Sequence, residues 1–406
     1  MHIRPILSAM RRNKVGAFLI SLQMAVTLAI LGNAGFIIEQ RVHLMARPSG
    51  VDEANLFVMT NQWIGQPPDL KARIVADVAA LRGLPDVTDA YATNSYTLEQ
   101  SGWSSGVSLT AEQKQSTART ASYFIDEHAI DTLQARLIAG RNFSADEIDD
   151  IVDNDSPIPP AIIVTKALAE ALFPGQSAIG KTVYLSHKPT AIIGIVDRLQ
   201  TPWVNADSFG KDFVENSMLL PFHYVSVDYG KYVVRAKPGR LDAVMQAAQQ
   251  KLYELSRERV LTKVKTYSQV RREAYSDDRG LAIILGVVCA ALVAVTAFGI
   301  VGLTSFWVTQ RRRQIGVRRA LGATRQAILA YFQTENMIIA TAGAVVGIVL
   351  AMGLNLWMVS SFEMSRIGML YVLVPALAVV LLGQFAVLWP ALRAASIPPA
   401  LATRAA

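Results

Sequence analysis

Two stretches of the chain carry side chains at spacings that could do chemistry. Gly175-Gln-Ser-Ala-Ile-Gly180-Lys181-Thr182 satisfies GxxxxGK[ST], the loop whose backbone N–H groups cradle phosphates while its lysine neutralises them. That chemistry needs a strand before the loop and a helix after it, so that the helix N-terminus faces the anion. Here the order is reversed. Apolar spacing predicts a helix over Val164 to Phe173, stopped by Pro174-Gly175, and a β-branched strand over Thr182 to Leu185. The acid that would hold a metal, Asp197, follows only 15 residues later. The stretch reads as helix stop, turn and strand start. The second stretch is Asp146, Glu147, Asp149, Asp150, Asp153 and Asp155, six carboxylates within ten residues. A calcium loop wants alternate ligands, a sixth-position glycine and a distal glutamate, and the glycine is missing. A solvated loop bounded by Pro157, Pro159 and Pro160 is the expectation, with weak cation binding as the alternative. His2, His43, His128, His187 and His223 show no metal-ligand spacing, the lone Cys289 makes no pair, and GxSxG is absent. Neither a catalytic residue nor a metal site is expected, and no cofactor within this chain.

The other concentration of chemistry is positive charge. Arg311, Arg312, Arg313, Arg318, Arg319 and Arg325 fall in residues 310–334 without a single acid. Ile315, Ala320 and Leu321, with Ile328 and Leu329, add an apolar strip. A short helix of this kind docks into a groove of a soluble partner or rests on anionic lipid, and the residues alone leave both open.

The elements that must position these residues are set by hydrocarbon. Of 406 residues, 52% are apolar and 17% charged, against about 25% charged in ordinary soluble domains. Mean hydropathy is +0.30. Val15 to Ile38 runs 24 residues without a charge, Leu281 to Thr309 runs 29, Met337 to Ser361 runs 25, and Ile367 to Arg393 is broken only by Gln384, Pro375 and Pro390. About 20 such residues span a bilayer's hydrocarbon core, and a central charge would cost roughly 2.5–3.5 kcal/mol. Four membrane spans are predicted, at 15–38, 281–309, 335–361 and 368–389. The first is too long for a cleaved signal region. Ahead of it, Ile3, Ile6, Leu7 and Met10 recur at helical spacing among basic residues, so 1–14 reads as an amphipathic helix on the membrane surface.

Charge sets the orientation. Residues 1–14 carry four basic groups, the 310–334 loop six and the 390–406 tail two, with no acid among them. Such flanks stay cytoplasmic, which places both termini inside and residues 39–280 outside. That segment holds 26 basic and 30 acidic residues, so the overall +7 reflects threading and not nucleic-acid binding. Its alternation of strands (Thr182 to Leu185, Thr190 to Val196, Tyr232 to Arg235) and helices (Pro68 to Arg82, Leu241 to Leu255) predicts small α/β or α+β subdomains, not one barrel. The fold class is thus a membrane protein of four transmembrane α-helices, with a large extracytoplasmic α/β (α+β) domain inserted between helices 1 and 2.

This layout resembles the permease subunits of the MacB/FtsX superfamily of ABC transporters (type VII, mechanotransmission). The most specific likeness is Arg311-Arg-Arg-Gln314-Ile315-Gly316-Val317-Arg318-Arg319-Ala320-Leu321-Gly322-Ala323-Thr324. Gly140-Arg141-Asn-Phe143, Ala169-Glu-Ala-Leu-Phe173-Pro174-Gly175, Ile179-Gly180-Lys181-Thr182 and Ile193-Gly194-Ile195-Val196 are similar to its external domain. Trp389-Pro390-Ala-Leu-Arg393-Ala-Ala-Ser-Ile-Pro398-Pro-Ala-Leu401 is similar to its end. Gln310 and Gln314 depart from it, because the family commonly places acids there.

The resemblance implies a coupling helix against a separate cytoplasmic ABC ATPase that binds the ATP, with Arg311, Arg312, Arg313, Ile315, Gly316, Arg318, Arg319, Leu321 and Gly322 as contact residues. It implies a homodimer or paired permease in the bacterial inner membrane. Its work is efflux of drugs, peptides or other periplasmic substrates through an adaptor and outer-membrane channel, with lipoprotein release or signalling to cell-wall hydrolases as the alternative. Gly343, Gly347 and Ala351 make a small-xxx-small row on the third span, suited to dimer or intrachain helix packing. Glu335 is expected as an interfacial anchor. Glu39 to Leu44 and Tyr267 to Arg279 are expected as helical stalks continuing the first two spans.

Overall fold

A computed structural model of the chain describes residues 14–65, 68–152, 157–204, 213–362 and 365–396. The expected surface helix at 1–14, the acids Asp153 and Asp155, Glu363 and the tail beyond Ser396 lie outside the described residues, apart from Lys14. The chain forms two compact units, residues 46–277 and the remainder.

Among the described residues, four helices in the second of these are long and apolar enough to cross a membrane: Lys14–Met45, Ser276–Gln310, Arg325–Ser361 and Leu370–Ala395. Each runs beyond its charge-free core, because helix propensity does not stop where hydrocarbon does. The first carries Glu39 to Leu44 as uninterrupted helix, as expected of a stalk. The second stalk is different. Tyr267–Ala274 is a separate helix that ends at Tyr275 (φ −102°, ψ 19°), and the second span starts afresh at Ser276. The third span absorbs residues expected in the loop, starting at Arg325 and running to Phe362.

The first, third and fourth spans pack around small residues. A Cβ on Gly343 would meet the Ser21 carbonyl oxygen at 2.8 Å, and one on Gly347 the Ala25 backbone at 3.0 Å, so the two backbones are close because these positions are bare. Ala351 extends the row, and its carbonyl accepts a 3.1 Å hydrogen bond from Asn33 Nδ2. The row is used within the chain, against the first span. The second span meets the first through the Thr27–Thr296 hydroxyl pair at 2.7 Å and the Gln23 amide donating to Val295 O at 3.1 Å. Arg41 and Asp278 close the far end at 2.7 Å.

Among its described residues the 46–277 unit has twelve strands in two sheets: β1 (Leu56–Trp63), β2 (Val87–Thr93), β3 (Trp103–Ser108), β4 (Ala118–Ile125), β5 (Leu137–Gly140), β6 (Asp149–Val152), β7 (Ala161–Thr165), β8 (Thr182–Leu185), β9 (Lys188–Val196), β10 (Ser217–Val225), β11 (Tyr229–Ala236) and β12 (Arg259–Thr266). The outer four form an antiparallel sheet in the order β12-β1-β11-β2. Helices Leu70–Arg82 and Leu241–Leu255 follow β1 and β11, and their apolar faces (Ile74, Val78, Leu81; Val244, Ala248, Leu252) share one core with the sheet. This is the split βαβ, ferredoxin-like arrangement. Asp77 is buried in it, accepting from Arg259 at 2.7 Å and Tyr232 Oη at 2.6 Å.

Everything from β3 to β10 is inserted between β2 and β11. There the path β4-β3-β8-β9-β7-β10 returns to β4, so six strands close into a ring, with β5 added on β9 and β6 on β10. The expectation of small subdomains holds, but one of them is a closed β structure. Closure removes the exposed strand edges that an open six-stranded sheet would leave. Its core centres on Phe124, Ile162, Val164, Val183, Ile192 and Phe222.

Both chemical-looking stretches fall in this second subdomain. The GxxxxGK[ST] loop connects helix Lys166–Leu172 to β8 and has no helix after it. Thr165 ends β7 and also caps that helix, its Oγ1 accepting from Leu168 N at 3.4 Å, which is why strand and helix abut. In the acidic loop, Glu147 is gripped by Arg141 through contacts of 2.6 and 2.7 Å, and its carboxyl is held down to about 2, chiefly by that guanidinium and then by the Ser144 amide. Asp150 pairs with Lys71 and lies 3.5 Å from His223. These carboxylates have protein partners, and among the described residues no three His, Cys, Asp or Glu side chains gather as a metal-ligand set.

Candidate functional site: the arginine helix between the second and third spans

The arginine-rich sequence folds into a nine-residue helix, Arg312–Ala320, between the second and third spans. Its boundaries come from local chemistry. Gly322 sits at φ +95°, a conformation that costs other L-residues roughly 1–2 kcal/mol. There its N–H reaches Arg319 O at 3.1 Å while Ala323 N–H reaches Arg318 O at 3.0 Å, the paired bonds of a Schellman stop. Two residues on, Thr324 Oγ1 accepts from Ala327 N at 3.1 Å and caps the next helix. Leu-Gly-Ala-Thr is thus a stop and a start in four residues, which fixes where the arginines project.

The nine residues singled out from sequence divide into two groups. Arg311, Ile315 and Gly316 face inward. Arg311 donates to both oxygens of Glu335, at 2.9 and 3.1 Å, with the side chains only 12% and 4% exposed. Ile315 packs with Trp307, Ile328, Phe332 and Ala391. Arg319 Nη1 donates to the carbonyl of Ala395 at the end of the fourth span, at 2.7 Å. These four residues seat the helix, Ile315 and Gly316 buried and Arg311 and Arg319 partly so. Arg312, Arg313 and Arg318 are exposed, as are Gln314, Val317 and Gly322. Leu321 stands 83% exposed as an apolar knob at the helix end. Arg318 also lies over the Tyr331 ring at 5.0 Å, which holds its guanidinium against the third span.

The outward face therefore offers three cations and two apolar side chains, Val317 and Leu321, on a helix pinned from behind to the second, third and fourth spans. Moving a helix anchored in this way requires breaking a buried ion pair or shifting the spans with it. Glu335 is more than an interfacial anchor, being the buried partner that holds Arg311. A signal for this was present: Glu335 is the only acid between Asp278 and Glu363, opposite six arginines. A second feature escaped the sequence reading, a cleft lined by Ser305, Val308, Thr309, Arg312, Pro390 and Arg393.

Comparison with known proteins gives the layout a family. The FtsX-like permease C-terminal family matches residues 286–399, and the MacB-like periplasmic core domain family matches residues 25–251. An uncharacterized ABC transporter permease of Bacillus subtilis, YvrN, is 22% identical over 301 residues, covering 70% of this chain and 69% of that protein. The macrolide export ATP-binding/permease protein MacB of Azoarcus is 28% identical over 200 residues, 47% of this chain and 29% of that one. MacB of Neisseria meningitidis serogroup A is 24% identical over 256 residues, 62% and 38%. The chain thus spans well under half the length of these MacB relatives. Among solved structures, the periplasmic region of MacB from Actinobacillus actinomycetemcomitans is similar at 15% identity and a TM-score of 0.34, over 55% of this chain and 94% of that one. With the MacB-like domain matching over half its length and the FtsX-like domain covering its last three spans, the chain belongs to the MacB/FtsX family of ABC transporter permeases and is the membrane-spanning component of such a transporter.

Proposed function

We propose that the chain couples ATP hydrolysis by a separate cytoplasmic ATPase to movement of its 46–277 domain, with the Arg312–Ala320 helix as the coupling element. The observation that carries this reading is the division of that helix into a buried seat (Arg311–Glu335, Ile315, Arg319) and an exposed face of Arg312, Arg313, Arg318 and Leu321. Basic flanks against acid-free loops support cytoplasmic termini and a bacterial inner-membrane location, with the inserted domain in the periplasm. The first helix ends at Met45 and the second span begins at Ser276, so both feed directly into that domain. A push on the coupling helix would reach it through the chain itself.

The work done is read as efflux of drugs, peptides or other periplasmic substrates, acting as a dimer with an adaptor and an outer-membrane channel. The macrolide-export names of several relatives support this cargo class. The decisive experiment is retention of an ABC ATPase by the tagged, full-length chain purified from its own membranes. Leu321→Asp, or Arg313→Glu with Arg318→Glu, should abolish that retention while leaving the chain folded. Retention unchanged by both variants sinks the coupling assignment. Loss of the gene should lower tolerance to export substrates. Unchanged tolerance with an altered cell envelope would favour lipoprotein release or signalling.

A further inference from the structure

We infer that the cleft between the ends of the second and fourth spans binds the phosphate group of an anionic membrane phospholipid. The cleft has a volume of about 260 Å³ and is lined by Ser305, Val308, Thr309, Arg312, Pro390 and Arg393. A single water needs only about 10–15 Å³, so there is room for a group as large as a phosphodiester. Ser305 and Thr309 are four residues apart and share one face of the second span. Pro390 and Arg393 are three apart and share one face of the fourth. Two guanidiniums and the Ser305 hydroxyl supply donors, and among the described residues no acid lines the space. The Thr309 hydroxyl donates back to Ser305 O at 3.0 Å.

Arg311 is bound to Glu335 and Arg319 to the Ala395 carbonyl. Arg312 and Arg393 have no carboxylate within ion-pair distance among the described residues, and Arg393 lies 5.7 Å from the Trp389 ring centre. Guanidinium matches phosphate in shape and binds it through paired hydrogen bonds. A phosphate ester from lipid and free inorganic phosphate share this chemistry. The surroundings favour the lipid. Val308 and Pro390 make apolar walls, and Phe306, Phe385 and Leu392 on the same two helices are exposed. Trp389, also exposed, is the residue type that settles at headgroup depth. Basic pockets between spans on the cytoplasmic side hold anionic headgroups by the same physics. A bound headgroup would tie the fourth span to the first residue of the Arg312–Ala320 helix. The inference needs only that these helices lie in a bilayer and does not depend on the ATPase reading.

The test uses the full chain in mild detergent, stripped of lipid, with bound lipid counted by native mass spectrometry and thermal stability followed in parallel. Phosphatidylglycerol should be retained and should raise the unfolding temperature, whereas phosphatidylcholine should do neither. Arg312→Gln with Arg393→Gln should weaken phosphatidylglycerol retention by about tenfold or more, the effect of losing charge-assisted hydrogen bonds. Arg325→Gln, at an exposed arginine outside the cleft, should leave retention unchanged and controls for surface charge. Equal retention of phosphatidylcholine, or undiminished phosphatidylglycerol binding by the double variant, overturns the site. Equal protection by inorganic phosphate overturns its assignment to lipid.

Discussion

Replacing Glu335 with alanine leaves the Arg311 guanidinium, only 12% exposed, without its carboxylate. The lost contacts are 2.9 and 3.1 Å long. At an effective dielectric near 20, the Coulomb attraction at such a distance is about 6 kcal/mol, most of which offsets the desolvation of the two ions. Removing one partner of a buried pair costs about 3–5 kcal/mol because the other charge stays buried and unmatched. Removing both, as in Arg311→Met with Glu335→Leu, should cost far less. The structure confines the effect to the seat of the Arg312–Ala320 helix, so local opening is the quantity to measure. Trypsin cuts after arginine only where the backbone unfolds, and at low protease its rate follows the population of the open form. Cleavage within 312–325 should therefore accelerate about a hundredfold or more in Glu335→Ala, and under tenfold in the double variant. If the single variant stays within about twofold of the parent, or the double variant is cut faster than either single one, the pair does not seat the helix.

Gly347→Leu should part the first and third spans and sharply reduce the yield of folded protein, since its Cβ would meet Leu28 Cδ2 at 2.7 Å and Ala25 Cα at 3.0 Å. Gly353→Leu on the same helix, with nothing within 4 Å, should be tolerated, and size-exclusion profiles of the two compare them directly. Gly322→Ala should lower stability by about 1–2 kcal/mol, entirely through its left-handed backbone, because no atom lies within 4 Å of the added carbon; Gly322→Asn should recover part of that in thermal unfolding. The Glu147 carboxyl is held down to about 2 by Arg141 and Ser144, below its ordinary 4.5. Its stabilising contribution is thus fully present above 4.5 and fades as pH falls toward 2, so the difference in melting temperature between wild type and Glu147→Gln should shrink across that window.

Local chemistry made much of this protein legible. Hydrocarbon length gave four spans, since a bilayer reads only the continuity of apolar residues. Leu241–Leu255 and Thr182–Leu185 have the bounds their periodicity predicts. The arginine helix was visible as a charge run, and its ends are legible in Gly322 and Thr324. Most strands were not. β1, β4, β7 and β10 are buried along nearly all their length and show no alternation of apolar and polar residues. β7 also runs into its helix through Thr165, so the apolar stretch reads as one element.

Composition and spacing by themselves determined the membrane layout, the inserted soluble domain and the presence of a cationic helix, because hydropathy, charge and capping act over a few residues. Only the tertiary structure decided how those parts are used. β1 pairs with β11 and β12 across the whole inserted subdomain, a choice made by a shared core that no local window contains. Likewise, six similar arginines became different things according to what folded next to them. Arg311 is buried against Glu335, Arg319 is tied to the fourth span and Arg312 lines a cleft with Arg393, while Arg313 is left facing solvent. A charge in the sequence has only a sign; its energy and its role depend on burial and on the partner that packing brings within hydrogen-bonding distance.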